Sequence, residues 1–339
     1  MIGTKFLWKP LLLLCIIATL LMVPAGQNIS KVSGTVAVLP FQPDSVVYTS
    51  AVMASNDDYS GRQWGITKTM APQAWEVTSG ANNVVIAVLD TGIDKHQEDL
   101  VGKVIAEVNF TDSPTTDDVY GHGTHLAGII AAAANNGMGI AGLAYNCSLM
   151  NVKVADDQGR FDSSVAAKGV IWAVDHGAKV INMSLVATEP SPSLEEAINY
   201  AWSQGAVLIA AAGNLVGDKI VYPAYYSNCV AVAATDSNDR VASWSSHGDW
   251  VDVAAPGVDI YSTLPGNKYG NKSGTSMAAA HVSGLAGLLF ALRSDKNSNG
   301  FVNDEVRAAI ENGCDGLNTG ALKGRINAFH AVSEALTSN

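Results

Sequence analysis

The chain has 339 residues with 48% hydrophobic and only 15% charged residues, and its formal net charge is −11. That balance excludes an intrinsically disordered chain, and 32 glycines without a three-residue period exclude collagen. A pI near 5.0 argues against nucleic acid as a partner, because phosphate binding wants a basic face.

The N-terminus reads as an address. Lys5 and Lys9 form a charged region, residues 11–23 an apolar one, and Val23-Pro24-Ala25 supplies small residues at a cleavage site, so residues 1–25 are expected to be a secretory signal. The apolar run is shorter than the roughly 20 residues of a membrane span, which predicts export and no stable membrane anchor. Cys15 follows Leu14, where a lipoprotein signal would need a small residue. Export leaves Cys147, Cys229 and Cys314 in a disulfide-permissive compartment, where at most one pair can form. Residues 26–55 carry no helical period and read as a short pro-segment or extended arm. From residue 56 to 339 one domain is expected.

The apolar run 84–90 suits a buried parallel strand. An Ala-rich helix is predicted over 122–135, a strand over 149–154, a helix over 164–176 and a strand over 179–185. Next come a helix over 193–202, strands over 206–212 and 230–235, a long apolar helix over 277–292, and two short helices near Glu305 and Ala328. Strands alternating with helices predict an α/β fold: a mostly parallel twisted sheet covered on both faces.

Three segments carry chemistry. Asp90-Thr91-Gly92 puts a carboxylate at the end of the first strand, and ligands in open α/β sheets gather at the carboxyl ends of strands. His122-Gly123-Thr124-His125 opens a helix, and Gly274-Thr275-Ser276-Met277-Ala278 puts Ser276 at the start of another. Alone, these read as a turn Asp, a structural His and a helix N-cap. The two histidines at i and i+3 could share a metal, but no HExxH pattern or Cys pair supplies the remaining ligands. His125 and His281 therefore read as packed structural residues. In combination, a serine hydroxyl needs a neighbouring base, imidazole titrates near neutrality, and a buried carboxylate fixes its tautomer.

In this order DTG, HGTH and GTSMA resemble the subtilisin family of serine peptidases (peptidase family S8, the subtilases). The thermitase-like branch shares QAW (73–75), YPAYYSN (222–228) and WVDVAAPG (250–257). The resemblance runs from about Asn56 to Ala331. It implies a subtilisin-like single catalytic domain over 56–339 and a triad of Asp90, His122 and Ser276, with Asn214 as the oxyanion-hole side chain. It further implies a secreted, monomeric serine endopeptidase that acts on protein or peptide substrates through an acyl-enzyme. Peptide would be bound as an added strand between Gln158, Gly159, Arg160 and Phe161 on one side and Ser184, Leu185 and Val186 on the other. The S1 pocket would be walled by Ser184, Leu185, Val186 and by Ala211, Ala212 and Gly213. No charge lies in those walls, which predicts broad specificity with an apolar P1 residue.

The resemblance also implies structural Ca²⁺, and no redox or organic cofactor. The loop 133–140 would hold the ion through Ala133, Asn136, Met138 and Ile140, joined by Asp99 and Asp57; hard oxygen ligands suit calcium. A weaker second candidate is Asp295-x-Asn297-x-Asn299-Gly300, with EF-hand spacing but Val306 where the bidentate Glu belongs. Two departures from the family pattern stand out. Val186 and Ala187 replace glycines, which narrows the cleft, and Ala280 replaces a proline four residues after Ser276, which makes a peptide ligase on the same triad the alternative enzyme. A catalytically dead protein-binding homologue would have lost a triad residue or Asn214, and none is lost.

Overall fold

The computed structural model describes residues 55–292, 295–317 and 322–337. The expected signal segment and residues 26–54 of the expected arm lie outside the described residues. The strands are β1 (Val85–Asp90), β2 (Val104–Asn109), β3 (Ser148–Lys153), β4 (Val180–Met183), β5 (Val207–Ala211), β6 (Cys229–Thr235) and β7 (Val253–Pro256), followed by an antiparallel hairpin of β8 (Ile260–Leu264) and β9 (Lys268–Lys272). The first seven form one sheet in the order β2-β3-β1-β4-β5-β6-β7, and every pairing is parallel. The helices are α1 (Trp64–Lys68), α2 (Ala71–Trp75), α3 (Gly123–Ala131), α4 (Ser163–Asp175), α5 (Pro192–Ser203), α6 (Thr275–Leu292), α7 (Asn303–Asn312) and α8 (Ala328–Thr337).

Period-two alternation divides the sheet between two cores. Ile86, Val88, Val180, Val207, Ile209 and Val232 face α3 and α6, whereas Val85, Leu89, Ile181, Met183 and Leu208 face α4 and α5. Both faces are covered, so the strands can be apolar throughout, and each buried Val, Leu or Ile contributes about 1.5–3 kcal/mol. By length and composition α6 would cross a membrane, but 83% of it is buried in the protein. It is the central helix of one core.

The predicted elements are present with bounds shifted by a few residues. The helix expected over 122–135 ends at Ala131, because Ala132 turns extended (φ −49°, ψ 140°) to start the 133–140 loop. Four strands were not anticipated. Edge strand β2 alternates half-buried and exposed positions and contains Glu107, so it shows no continuous apolar run; β7 is only four residues long, and β8 and β9 pair only with each other. Cys147, Cys229 and Cys314 are free thiols. Burial raises all three above the ordinary thiol range, Cys147 to about 11 and Cys314 to about 12, so they hold their protons and are inert.

Candidate active site

The first, fourth and fifth strands are parallel neighbours, so their carboxyl ends lie side by side. The chain fills the sheet outward on both sides of β1, which makes the carboxyl end of β1 a topological switch point. Asp90 is the last residue of β1 and is 1% exposed. Its Oδ1 accepts a hydrogen bond from the Thr91 backbone N–H at 2.8 Å, and the Thr91 hydroxyl oxygen lies 3.2 Å away. The same oxygen lies 2.8 Å from His122 Nδ1, so with Asp90 ionised Nδ1 carries the proton and Nε2 is left as the base.

His122 is the residue before α3 and its side chain is 21% exposed. Burial opposes its charged form, but the Asp90 carboxylate, by charge and by hydrogen bond, more than offsets that, and the imidazole pKa lies above its ordinary value. Close packing holds the two segments together: a Cβ at Gly123 would collide with the Gly92 carbonyl, and Gly92 itself sits at φ +112°. His125, fully buried, is held by Gly270 at 3.1 Å and burial depresses its pKa to about 3. His281 bonds the Met277 carbonyl, one turn earlier, and is pushed down to about 4. Both remain neutral, as their structural reading requires.

Ser276 is the second residue of α6, where backbone N–H groups lack helical partners. Asn214 Oδ1 accepts from both the backbone N–H and the hydroxyl of Thr275, each at 3.1 Å. Its Nδ2 is left without an intramolecular partner among the described residues and faces Gly274. Thr275 also receives the Gly213 N–H on its hydroxyl, and Ser184 Oγ donates to the Ser276 carbonyl. The loops after β4 and β5 are thus fastened to the start of α6. Ala280 lies fully buried inside a regular α6.

Leu185 and Val186 make no backbone hydrogen bond among the described residues, so their peptide groups are free to pair with a peptide. Val186 Cγ1 comes to within 3.5 Å of where a Cβ on Gly213 would stand, so the two walls approach each other closely. Gln158, Gly159 and Arg160 form a tight turn rather than an extended edge. The N–H groups of Gln158 and Arg160 end on Asp156 Oδ1, that of Gly159 ends on the Asp156 carbonyl, and Ala155 pairs with Phe161 across the turn. Asp156, whose carboxylate also holds Arg160 Nε at 2.9 Å, closes this turn and occupies the N–H groups of Gln158, Gly159 and Arg160, while the Phe161 N–H makes no backbone hydrogen bond among the described residues.

The 133–140 loop brings Asp57 and Asp99 together with the expected carbonyls. Asp57 is 3% and Asp99 0% exposed, and neither pairs with a basic side chain among the described residues. Burial, with the Asp57 charge nearby, raises the Asp99 pKa despite hydrogen bonds from the Ile140 N–H, Asn136 Nδ2 and Tyr269 hydroxyl. The carbonyls of Ala133, Met138 and Ile140 accept no hydrogen bond among the described residues. Gly139 is required, since a Cβ there would collide with the Asp99 carboxylate. Two buried carboxylates that pair with no cationic side chain among the described residues, Asp57 accepting the Asn135 and Asn136 N–H groups, lie beside three free carbonyls, a donor set that fits a hard divalent cation. Among the described residues no group of three or more His, Cys, Asp or Glu side chains is placed to hold a metal, so an ion here would depend on carbonyl and amide oxygens. In the second loop, Asp295, Asn297 and Asn299 each accept a backbone N–H, from Gly300, Asn299 and Phe301. Asn297 and Asn299 also donate to Asp304 Oδ2, which ties the loop to the start of α7.

Sequence reasoning passed over Thr91, Thr275 and Asp118. The first two stand inside the DTG and GTSMA motifs, where a hydroxyl beside a functional residue is the available signal. Asp118 stands four residues before His122 and outside any motif.

Residues 81–326 match the Subtilase family model, Peptidase_S8. The chain is 48% identical over 282 residues to thermitase of Thermoactinomyces vulgaris, covering 82% of this chain and 98% of that protein. It is 43% identical to a thermophilic serine proteinase of Bacillus sp. (strain AK1), over 90% of this chain and 78% of that protein. Among solved structures, a protease from Pseudoalteromonas arctica PAMC 21717 superposes with a TM-score of 0.77 at 30% identity, covering 84% of this chain and 100% of that one.

Proposed function

The chain belongs to the subtilase family of serine-type endopeptidases and to its thermitase-like branch, and from that premise we propose that it is an exported enzyme cleaving protein or peptide substrates with Ser276, His122, Asp90 and Asn214. The observation that carries this reading is the 2.8 Å bond between buried Asp90 and His122 at the carboxyl end of β1. Ser276 Oγ attacks the scissile carbonyl as its proton passes to His122 Nε2. Asp90 holds the ring through Nδ1 and stabilises the imidazolium. The oxyanion is received by Asn214 Nδ2 and a backbone N–H at the start of α6. The imidazolium then protonates the departing amine, and a water deprotonated by His122 releases the acyl group. The test is hydrolysis of casein and of a succinyl-Ala-Ala-Pro-Phe anilide by the purified chain, with Ser276→Ala as control; equal rates in both would refute it.

Residues 1–25 act as the export signal in this reading, 26–55 as a short pro-segment or arm, and 56–339 as the catalytic domain. Substrate pairs chiefly with the free backbone of Leu185 and Val186. With the N–H groups of Gln158 to Arg160 occupied, the opposite side contributes the Gln158 and Gly159 carbonyls and the Phe161 N–H. The walls Ser184 to Val186 and Ala211 to Gly213 favour an apolar P1 residue, and Val186 limits its size. Val186→Gly is expected to raise kcat/KM for Phe over Ala at P1 by about tenfold. An unchanged ratio across a P1 peptide series would remove Val186 from the specificity account.

Calcium would be held by Asp57, Asp99, Asn136 and the carbonyls of Ala133, Met138 and Ile140, with Asp295, Asn297 and Asn299 as a weaker second loop. The ion would neutralise the two buried carboxylates, so excess EDTA is expected to lower the thermal midpoint by about 10 °C. A midpoint indifferent to EDTA, and to calcium added back, would take calcium out of the account.

A further inference from the structure

Asp118 lies in the loop between β2 and α3 and is 4% exposed. It makes no ion pair among the described residues. Four donors end on its carboxylate instead. Oδ1 accepts from the Thr91 hydroxyl at 2.8 Å, the Tyr120 N–H at 3.1 Å and the Gly121 N–H at 2.7 Å; Oδ2 accepts from the Thr124 N–H at 2.8 Å. Tyr120 and Gly121 directly precede His122, and Thr124 is in the first turn of α3. The fourth donor, the Thr91 hydroxyl, also contacts Asp90 Oδ1 and receives the Gly123 N–H at 3.1 Å. One buried carboxylate therefore grips the backbone on both sides of His122 and ties it to Asp90. A carboxylate buried without a cation is costly unless hydrogen bonds hold its charge; these four do so.

Resting on the active-site reading above, we propose that Asp118 is a positioning residue for His122 and the second carboxylate that stabilises the imidazolium formed as Ser276 attacks. The charged and titratable groups around His122 are Asp90 from β1, Asp118 from the preceding loop, Lys272 from β9 and His125 from α3. Asp90 and Asp118 favour the imidazolium and Lys272 opposes it. His125 stays neutral above about pH 3 and adds no charge in the working range. Removing the Asp118 charge leaves Lys272 balanced by Asp90 alone. The imidazole then gives up its proton at lower pH, so the acid limb of kcat/KM moves down.

The experiment measures kcat and KM against pH for the wild type and for Asp118→Asn and Asp118→Ser, each first shown to melt cooperatively. The expected result is an acid limb about half a pH unit lower or more. Plateau kcat should fall about tenfold while KM changes less than about twofold. A limb at the wild-type position, with or without a lower melting temperature, overturns the proposal in favour of a purely structural role. Failure of both variants to fold does the same. If the wild type shows no Ser276-dependent hydrolysis, the active-site reading itself fails; if it does and the variants keep the wild-type limb, only the assignment of Asp118 fails.

Discussion

Replacing Ser276 with alanine is expected to lower kcat on a peptide anilide by about six orders of magnitude, the scale known from this family's own triads. The loss is large because the serine, the base and the carboxylate act as one unit. Without Oγ, no acyl-enzyme forms, and the proton acceptor at His122 Nε2 has no proton to take. A residual rate of about 10³–10⁴ over the uncatalysed reaction should persist, since substrate binding and the oxyanion donors remain. Asn214 stays anchored through its Oδ1 to Thr275, and that anchoring does not use the Ser276 side chain. KM should therefore change little, and the fold should be unaffected because Ser276 Oγ makes no structural hydrogen bond among the described residues. Active-site titration with a serine-directed fluorophosphonate checks the same point. Labelling of Ser276→Ala equal to wild type would mean that another nucleophile carries the reaction.

The legibility of this site in the sequence follows from how local each interaction is. Asp90, His122 and Ser276 lie in short motifs whose spacing to their own strand or helix is set by neighbouring residues, so each could be placed on its element before any coordinates. The parallel sheet was legible for the same reason: strands buried on both faces are continuous apolar runs, as in β1, β3 and β5. Interactions closed over long sequence separations were not legible. The β8–β9 hairpin is defined by pairing, and His125 is held by Gly270, 145 residues away. The turn at Gln158–Arg160 depends on Asp156 folding back on its own chain, which a polar stretch does not announce. Asp118 was missed because it stands outside the motifs, and the contact that ties it to Asp90 comes from Thr91, 27 residues away. Asp99 was named through resemblance; its burial among Ile140, Asn136 and Tyr269 is a consequence of tertiary closure.

Asp90→Asn is expected to reduce kcat by about four orders of magnitude at neutral pH, with little change in KM. Asp90 is 1% exposed and its Oδ1 is shared by Thr91 and His122, so an isosteric amide should keep the shape while removing the charge. The chemistry changes in two ways. An amide NH₂ turned toward His122 would favour the tautomer with the proton on Nε2, which can no longer accept the Ser276 proton. The imidazolium formed during attack also loses the opposite charge that lies 2.8 Å from Nδ1 in the native protein. Burial and Lys272 are then opposed only by Asp118, and the His122 pKa, held above the ordinary value chiefly by Asp90, should fall. The sign is fixed by the active form: the base must be neutral, so wild-type activity is lost as pH falls through a raised pKa, and the variant's acid limb should lie lower. The variant should thus be far slower at its plateau yet retain a larger fraction of that plateau at acid pH. A wild-type acid limb in Asp90→Asn, with kcat reduced less than about tenfold, would mean that Asp90 does not set the state of His122.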